Sequence, residues 1–136
     1  MIPSKAHPSD AGFDLTAVEK YNDKYGNIVY DTKVAISIPD GYVGLLFPRS
    51  SVSKYTISLS NAVGVVDPGY IGSIILKYKP TAYYTYREEN EVYEYEVGDR
   101  CGQLVILELP KIELNLVDEL RSSARGTGGF GSTGIN

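Results

Sequence analysis

Residues 125–134 read Arg-Gly-Thr-Gly-Gly-Phe-Gly-Ser-Thr-Gly. So glycine-rich a segment cannot bury enough apolar surface to hold its own shape. Yet it carries a guanidinium (Arg125), an aromatic ring (Phe130) and three hydroxyls at tight spacing. Those groups suit a phosphorylated ligand: Arg pairs with phosphate oxygens, exposed backbone N–H groups make an anion nest, hydroxyls donate, and Phe130 offers a flat face to a base. The plain alternative is a flexible tail.

Four more polar clusters interrupt the chain. Asp10-Ala11-Gly12-Phe13-Asp14-Leu15 sets Asp14 between apolar neighbours, so in a strand it points opposite to Phe13 and Leu15. It is either a solvent-facing carboxylate or an outer-shell partner for a metal. Phe47-Pro48-Arg49-Ser50-Ser51 combines one guanidinium with two hydroxyls, which suits a polyphosphate. Ser50 could instead cap a helical turn. In residues 61–70, Asn-Ala-Val-Gly-Val-Val-Asp-Pro-Gly-Tyr, Asp67 closes an apolar run before a Pro-Gly turn. A turn-starting Asp is the common structural role; a carboxylate at a pocket mouth could instead deprotonate water. Asn61 could match a base edge with its donor–acceptor pair. Gln103 in Gly98-Asp99-Arg100-Cys101-Gly102-Gln103 opens an apolar run, where it could simply satisfy a backbone group.

These clusters need a scaffold. The chain has 136 residues, 43% hydrophobic and 22% charged, which is ordinary for one soluble globular domain. A net charge of −4 argues against general nucleic-acid binding. The single Cys forms no intrachain disulfide, no long apolar span suggests a membrane segment, and no signal or transit peptide is evident. A cytoplasmic protein is expected, or one of the host cytoplasm if the source is phage or viral. Cys101 reads as a small buried hydrophobe, His7 as neither ligand nor catalyst, and Lys54, Lys77 and Lys79 as solvated charges.

Apolar residues recur with period two in short pieces: Val34, Ile36, Ile38; then Val43, Leu45, Phe47 after Pro39-Asp40-Gly41; and Ile112, Leu114, Leu116. Residues 74–76 and 104–107 are continuous apolar runs. Turn residues punctuate them, so the pattern predicts an all-β barrel or jelly roll. A short helical turn after Pro48 is the only helix expected. Residues 1–8 form a lead-in and 125–136 a mobile tail. Tyrosine is frequent (12 in all), and the Tyr83–Tyr95 run predicts an extended hairpin over 81–96 built on cross-strand pairing. The glutamates within it would repel nucleic acid, but residues 81–95 could present a surface to a regulatory protein.

The order and spacing of the five clusters resemble the five sequential motifs of the trimeric dUTP diphosphatases, over nearly the whole chain. The resemblance implies a jelly-roll-like β barrel that assembles as a homotrimer, with each site drawn from all three subunits. It implies hydrolysis of dUTP to dUMP and pyrophosphate, with Asp67 activating the water that attacks the α-phosphorus. Asn61, Ile75 and backbone atoms from Gly64 through Val65 to Val66 would hold uracil, and Tyr70 would pack under the deoxyribose. Arg49, Ser50, Ser51 and Gln103 would hold the phosphates. Asp14 and Gln103 would reach Mg²⁺ through water, the ion being held mainly by the triphosphate. Phe130 would stack on uracil while Arg125, Gly131, Ser132 and Thr133 close over the γ-phosphate.

Three departures accompany it: a longer stretch from Lys79 to Val97, Cys101-Gly102 where an aliphatic-Ala pair is usual, and a more polar Val18–Tyr30. A related fold, the dCTP deaminase type, carries its catalytic Glu where Lys77 stands here. Lysine cannot serve as that carboxylate, so deamination is disfavoured. A non-catalytic nucleotide-binding protein is the other alternative, and the presence of Asp67 and Arg125 speaks against it.

Overall fold

The computed structural model describes residues 1–81, 92–131 and Gly134. Among these residues eight strands form two four-stranded antiparallel sheets, the all-β architecture expected. One sheet contains β1 (Phe13–Thr16), β4 (Tyr42–Phe47), β6 (Gly64–Val66) and β8 (Arg100–Glu108), in the order β1-β8-β4-β6. The other contains β2 (Glu19–Asn22), β3 (Ile28–Ala35), β5 (Ile57–Leu59) and β7 (Ser73–Pro80), in the order β2-β3-β7-β5. Ser50–Lys54 forms a single 3₁₀ turn after Pro48. Among the described residues no helix is long and apolar enough to cross a membrane.

The core lies between the sheets. Leu15, Leu46, Val66, Cys101 and Leu104 come from one, Ile28, Tyr30, Ile74, Leu76 and Tyr78 from the other. Tyr30, Tyr78 and Tyr95 meet edge to face at its centre, with ring centroids 5.7 to 6.1 Å apart. Such contacts favour opposed quadrupoles. Their hydroxyls remain satisfied: Tyr30 donates to the Tyr95 carbonyl at 2.8 Å and Tyr78 to the Cys101 carbonyl at 2.6 Å. Burial raises the pKa of both phenols and pushes the Cys101 thiol up to about 12, so all three stay neutral. Gly102 also has a packing role, because a Cβ there would overlap the Leu76 side chain.

The periodic segments meet different fates. The Val34–Ile38 alternation persists in burial, but β3 ends at Ala35. Its ladder with β7 shifts register between Asp31 and Ala35, where Lys33 takes a positive φ of 55°. Asp31 holds that irregularity by accepting Lys33 N and Nζ, each at 2.8 Å, and the Ser73 hydroxyl. In β4 the core takes Leu46, while Leu45 and Phe47 are only half-buried on the other face. No strand forms over 112–116: Ile112, Leu114 and Leu116 are exposed, and none of the described elements covers them. Alternation there does not translate into a place in the described sheets.

Most of the expected 81–96 hairpin, and with it the regulatory surface, lies outside the described residues. Its two feet meet at Thr56. Thr81 N donates to the Thr56 carbonyl at 2.8 Å, and Thr56 N donates to the Tyr93 carbonyl at 2.9 Å. Tyr95 is a core residue rather than a cross-strand partner.

Candidate functional site

Strand register brings three of the polar clusters together. Antiparallel pairing of β1 with β8 sets Asp14 opposite Gln103, and pairing of β4 with β8 sets Phe47 opposite the same Gln103. Pro48 and Arg49 therefore leave β4 beside Asp14. Arg49 Nε donates to Asp14 Oδ1 at 2.8 Å, and Gln103 Nε2 donates to the Pro48 carbonyl at 2.9 Å. Arg100, to which no sequence motif gives a role, reaches Asp14 Oδ2 at 3.4 Å. A Cβ on Gly12 would collide with the Gln103 side chain, so glycine there lets the amide lie flat across the strands.

The 3₁₀ turn carries Ser50 and Ser51. Its cap residue, Arg49, makes no side-chain capping bond. Ser50 is exposed, whereas the Ser51 hydroxyl lies 2.9 Å from the Tyr95 hydroxyl. The cluster thus presents two guanidiniums, Arg49 and Arg100, one amide and two hydroxyls beside a single carboxylate.

A second group gathers around the β5–β6 connection. A tight turn, with Ala62 at φ 62°, brings Asn61 to the mouth of a pocket of about 290 Å³. Leu46, Leu59, Ser60, Gly64, Ile75 and Lys77 are among its other lining residues. Asn61, Gly64 and Ile75 are sequence-derived candidates; Ser60 and Lys77 are not. Lys77 is also not simply solvated, because it pairs with Asp23 Oδ2 at 3.1 Å.

The polar 23–27 turn braces this pocket from behind. Asp23 accepts the backbone N–H and the side-chain amide of Asn27, both at 2.9 Å. The Asn27 side chain, Lys77 and backbone donors hold the Asp23 carboxyl well below the usual carboxylate range, against a smaller desolvation effect. Buried Asn27 in turn accepts the Ser60 hydroxyl at 2.6 Å. No sequence motif announces this brace, because each contact crosses between separate turns and strands.

Asp67 follows β6 directly and is exposed. The Asp67 carbonyl accepts Tyr70 N at 3.0 Å, closing the Pro68-Gly69 turn. Tyr70 folds back so that its hydroxyl donates to the Ser73 carbonyl at 2.7 Å, with the ring against Gly72. Val65 is 62% exposed while Gly64 and Val66 are buried, so that strand offers backbone rather than a fitted side chain to a ligand.

One chain does not unite all these groups. Val66 pairs with Gly44 and Leu46 with Gly64, so Asp67 leaves its sheet level with Val43. Arg49 leaves at the opposite end, beyond Phe47. Val43 and Phe47 are four residues apart, roughly 13 Å along the strand. Nor do Arg125 and Phe130, among the described tail residues, reach either group. Arg125 Nε donates to its own neighbour's carbonyl, Gly128, at 2.6 Å, and Phe130 is fully exposed. Ser132 and Thr133 lie outside the described residues.

Comparisons with known proteins converge on one family. The family model described as dUTPase matches residues 1–134. The deoxyuridine 5'-triphosphate nucleotidohydrolase of Streptomyces griseus is 40% identical, over 98% of this chain and 73% of its own length. That of Leifsonia xyli is 38% identical, over 98% of this chain and 85% of its own. Among solved structures, a Staphylococcus bacteriophage 80alpha dUTPase with dUPNHPP superposes with a TM-score of 0.78. It is 34% identical and is matched over 99% of this chain and 92% of that one. A dUTPase variant from phage phi11 of S. aureus, described for its coordination of a structural Mg(II) ion, has a TM-score of 0.69. It is 31% identical over 88% of this chain and 90% of that one. The motif order, the two-sheet fold and these likenesses agree: the chain belongs to the dUTPase family.

Proposed function

We propose that this dUTP-hydrolysing enzyme works as a homotrimer in which Asp67 of one subunit acts on a phosphate chain gripped by Arg49, Ser50, Ser51 and Gln103 of another. The observation that carries this reading is the register of β4 with β6 and β8. It puts Asp67 and Arg49 at opposite ends of one sheet, which supports a site whose other half comes from a second copy. The exposed Ile112, Leu114 and Leu116 suit burial against such a copy.

In this reading, uracil enters the pocket beneath Asn61, whose amide pairs with the base edge, while Gly64 and Ile75 bound it. Tyr70 packs against the deoxyribose. Asp67, as a carboxylate, accepts a proton from water as the oxygen attacks the α-phosphorus. The bond between that phosphorus and the bridging oxygen breaks, releasing pyrophosphate and leaving dUMP. Arg49, held by Asp14, meets charge developing on the phosphate oxygens. The tail then folds over the ligand: Phe130 covers the base, Arg125, Ser132 and Thr133 cover the terminal phosphate, and bulk water is excluded.

The residues fit a Mg²⁺ ion that arrives with the triphosphate. Among the described residues no group of three His, Cys, Asp or Glu gathers to cage a metal, but Asp14 and Gln103 lie side by side across the β1–β8 ladder. One carboxylate and one amide oxygen suit a hard, hydrated cation reached through water. Mg²⁺ would neutralise phosphate charge there. Incubation with dUTP, UTP and dCTP plus Mg²⁺ tests the reading. Release of dUMP and pyrophosphate from dUTP alone is expected; ammonia from dCTP, or phosphate in place of pyrophosphate, would overturn it.

A further inference from the structure

The hydroxyl of Tyr95 lies 2.9 Å from Ser51 Oγ. Tyr95 is 2% exposed, and its ring is packed by Tyr55, Tyr30 and Tyr78, with the Tyr55 centroid 4.4 Å away. Among the described residues, Ser51 Oγ is the hydrogen-bond partner of this phenol. We propose that Tyr95 is a positioning residue for the phosphate grip, orienting the Ser51 hydroxyl toward the ligand through a two-step relay. This rests on Ser51 being a phosphate ligand.

The argument is one of proton counting. A serine hydroxyl has one proton and two lone pairs. A phosphate is an acceptor, so Ser51 serves it only by donating. The buried phenol must also place its proton somewhere, because an unmade bond in an apolar setting is costly. Both needs are met by one arrangement: Tyr95 donates to Ser51, and Ser51 donates outward. Burial raises the Tyr95 pKa, the Ser51 bond opposing, so the phenol keeps the proton that the relay requires. Each bond polarises the next, which strengthens the outward donor. The backbone is fixed too, since the Tyr95 carbonyl accepts the Tyr30 hydroxyl at 2.8 Å. The relay therefore ties the 3₁₀ turn to the centre of the core.

The test is a double-mutant cycle on the intact enzyme with dUTP and Mg²⁺. Tyr95→Phe keeps the ring and removes the hydroxyl, so folding, followed by Tm and trimer content, should survive. Its kcat/KM should fall about five- to tenfold, the scale of one positioning hydrogen bond. Ser51→Ala should lower kcat/KM at least as far. In the Ser51→Ala background, Tyr95→Phe should change kcat/KM less than about twofold, because the relay has lost its far end. Affinity for a non-hydrolysable dUTP analogue should follow the same pattern. Full activity in Tyr95→Phe would overturn the proposal, as would an equal loss in both backgrounds, which would mark Tyr95 as a packing residue. Full activity in Ser51→Ala would instead remove Ser51 from the phosphate site, and the inference with it.

Discussion

Asp14 and Arg49, on β1 and just beyond β4, form an ion pair at 2.8 Å through Nε. Both side chains are mostly covered, so the pair is screened less than a surface bridge. The contact uses one edge of the guanidinium and leaves both Nη groups outside it. Asp14 thus acts as an orienting arm, and the fork of Arg49 is aimed before any ligand arrives.

Arg49→Lys should therefore be a poor replacement. An ammonium is a point charge and cannot hold Asp14 while presenting a two-pronged edge to phosphate. We expect kcat/KM for dUTP to fall by about 10²-fold or more, comparable to losing an oxyanion donor. Equal kinetics in the Lys variant would show that charge alone, not orientation, is needed.

Much of this site was legible in the sequence, for a physical reason. Asp14 and Gln103 lie within β1 and β8 and Arg49 lies just beyond β4, and all three strands are apolar enough to be recognised. The 112–116 segment misled because period two reports an extended, two-faced segment, not whether a neighbouring strand pairs with it. Tyr95 was hidden because its neighbours, Tyr93 and Glu94, give a run that reads equally well as an exposed hairpin. The Asp23–Asn27–Ser60 brace was hidden because buried polar partners are set by tertiary geometry.

Tyr70 should govern the choice of sugar. Its ring is held by the Ser73 carbonyl and backed by Gly72, where a Cβ would overlap it. A ring fixed against C2′ leaves no room for a hydroxyl, and a hydroxyl buried without a partner is penalised further. Tyr70→Ala should raise kcat/KM for UTP relative to dUTP. An unchanged ratio would place discrimination elsewhere.

The tail should matter to turnover and not to folding. Phe130 is fully exposed and exposed Arg125 bonds within the tail, so a chain ending before Arg125 should keep its Tm and its assembly. Ordering the segment costs about 1–2 kcal/mol per residue fixed, which a ligand with both a base and a terminal phosphate can offset. Hydrogen exchange should therefore find the tail protected by a non-hydrolysable dUTP analogue more than by dUMP. Full activity after truncation would reduce it to an ordinary end.

Stability should fall on the alkaline side. The Cys101 thiol is raised to about 12, and the Tyr30, Tyr78 and Tyr95 phenols are raised as well, all led by burial. The folded state thus holds protons that the unfolded chain releases, so these groups stabilise fully below the unfolded thiol pKa. That contribution fades as pH rises. For Cys101 the loss begins near pH ~8.5 and runs at up to ~1.4 kcal/mol per pH step. It ends near the folded value of about 12. Cys101→Val should flatten Tm against pH between about 8 and 10, where phenols still contribute little. An identical slope in that variant would exclude the thiol.

Complementation offers the sharpest test of the shared site. Asp67→Asn keeps the shape of the side chain but is too weak a base to activate water, so turnover should drop ~10²–10⁴-fold while the dUTP analogue still binds. Arg49→Ala should be impaired through the phosphates instead. Within one chain these two residues leave opposite ends of the same sheet. If each site takes Asp67 from one subunit and Arg49 from another, a random mixture of the two variants rebuilds some intact sites. An Arg49→Ala subunit lends its Asp67, and an Asp67→Asn subunit lends its Arg49. With random trimers about a quarter of sites should be complete, so activity should rise far above either parent after joint refolding. Activity that stays at the parental level, with mixed trimers verified by mass, would mean that both residues serve the same subunit's site.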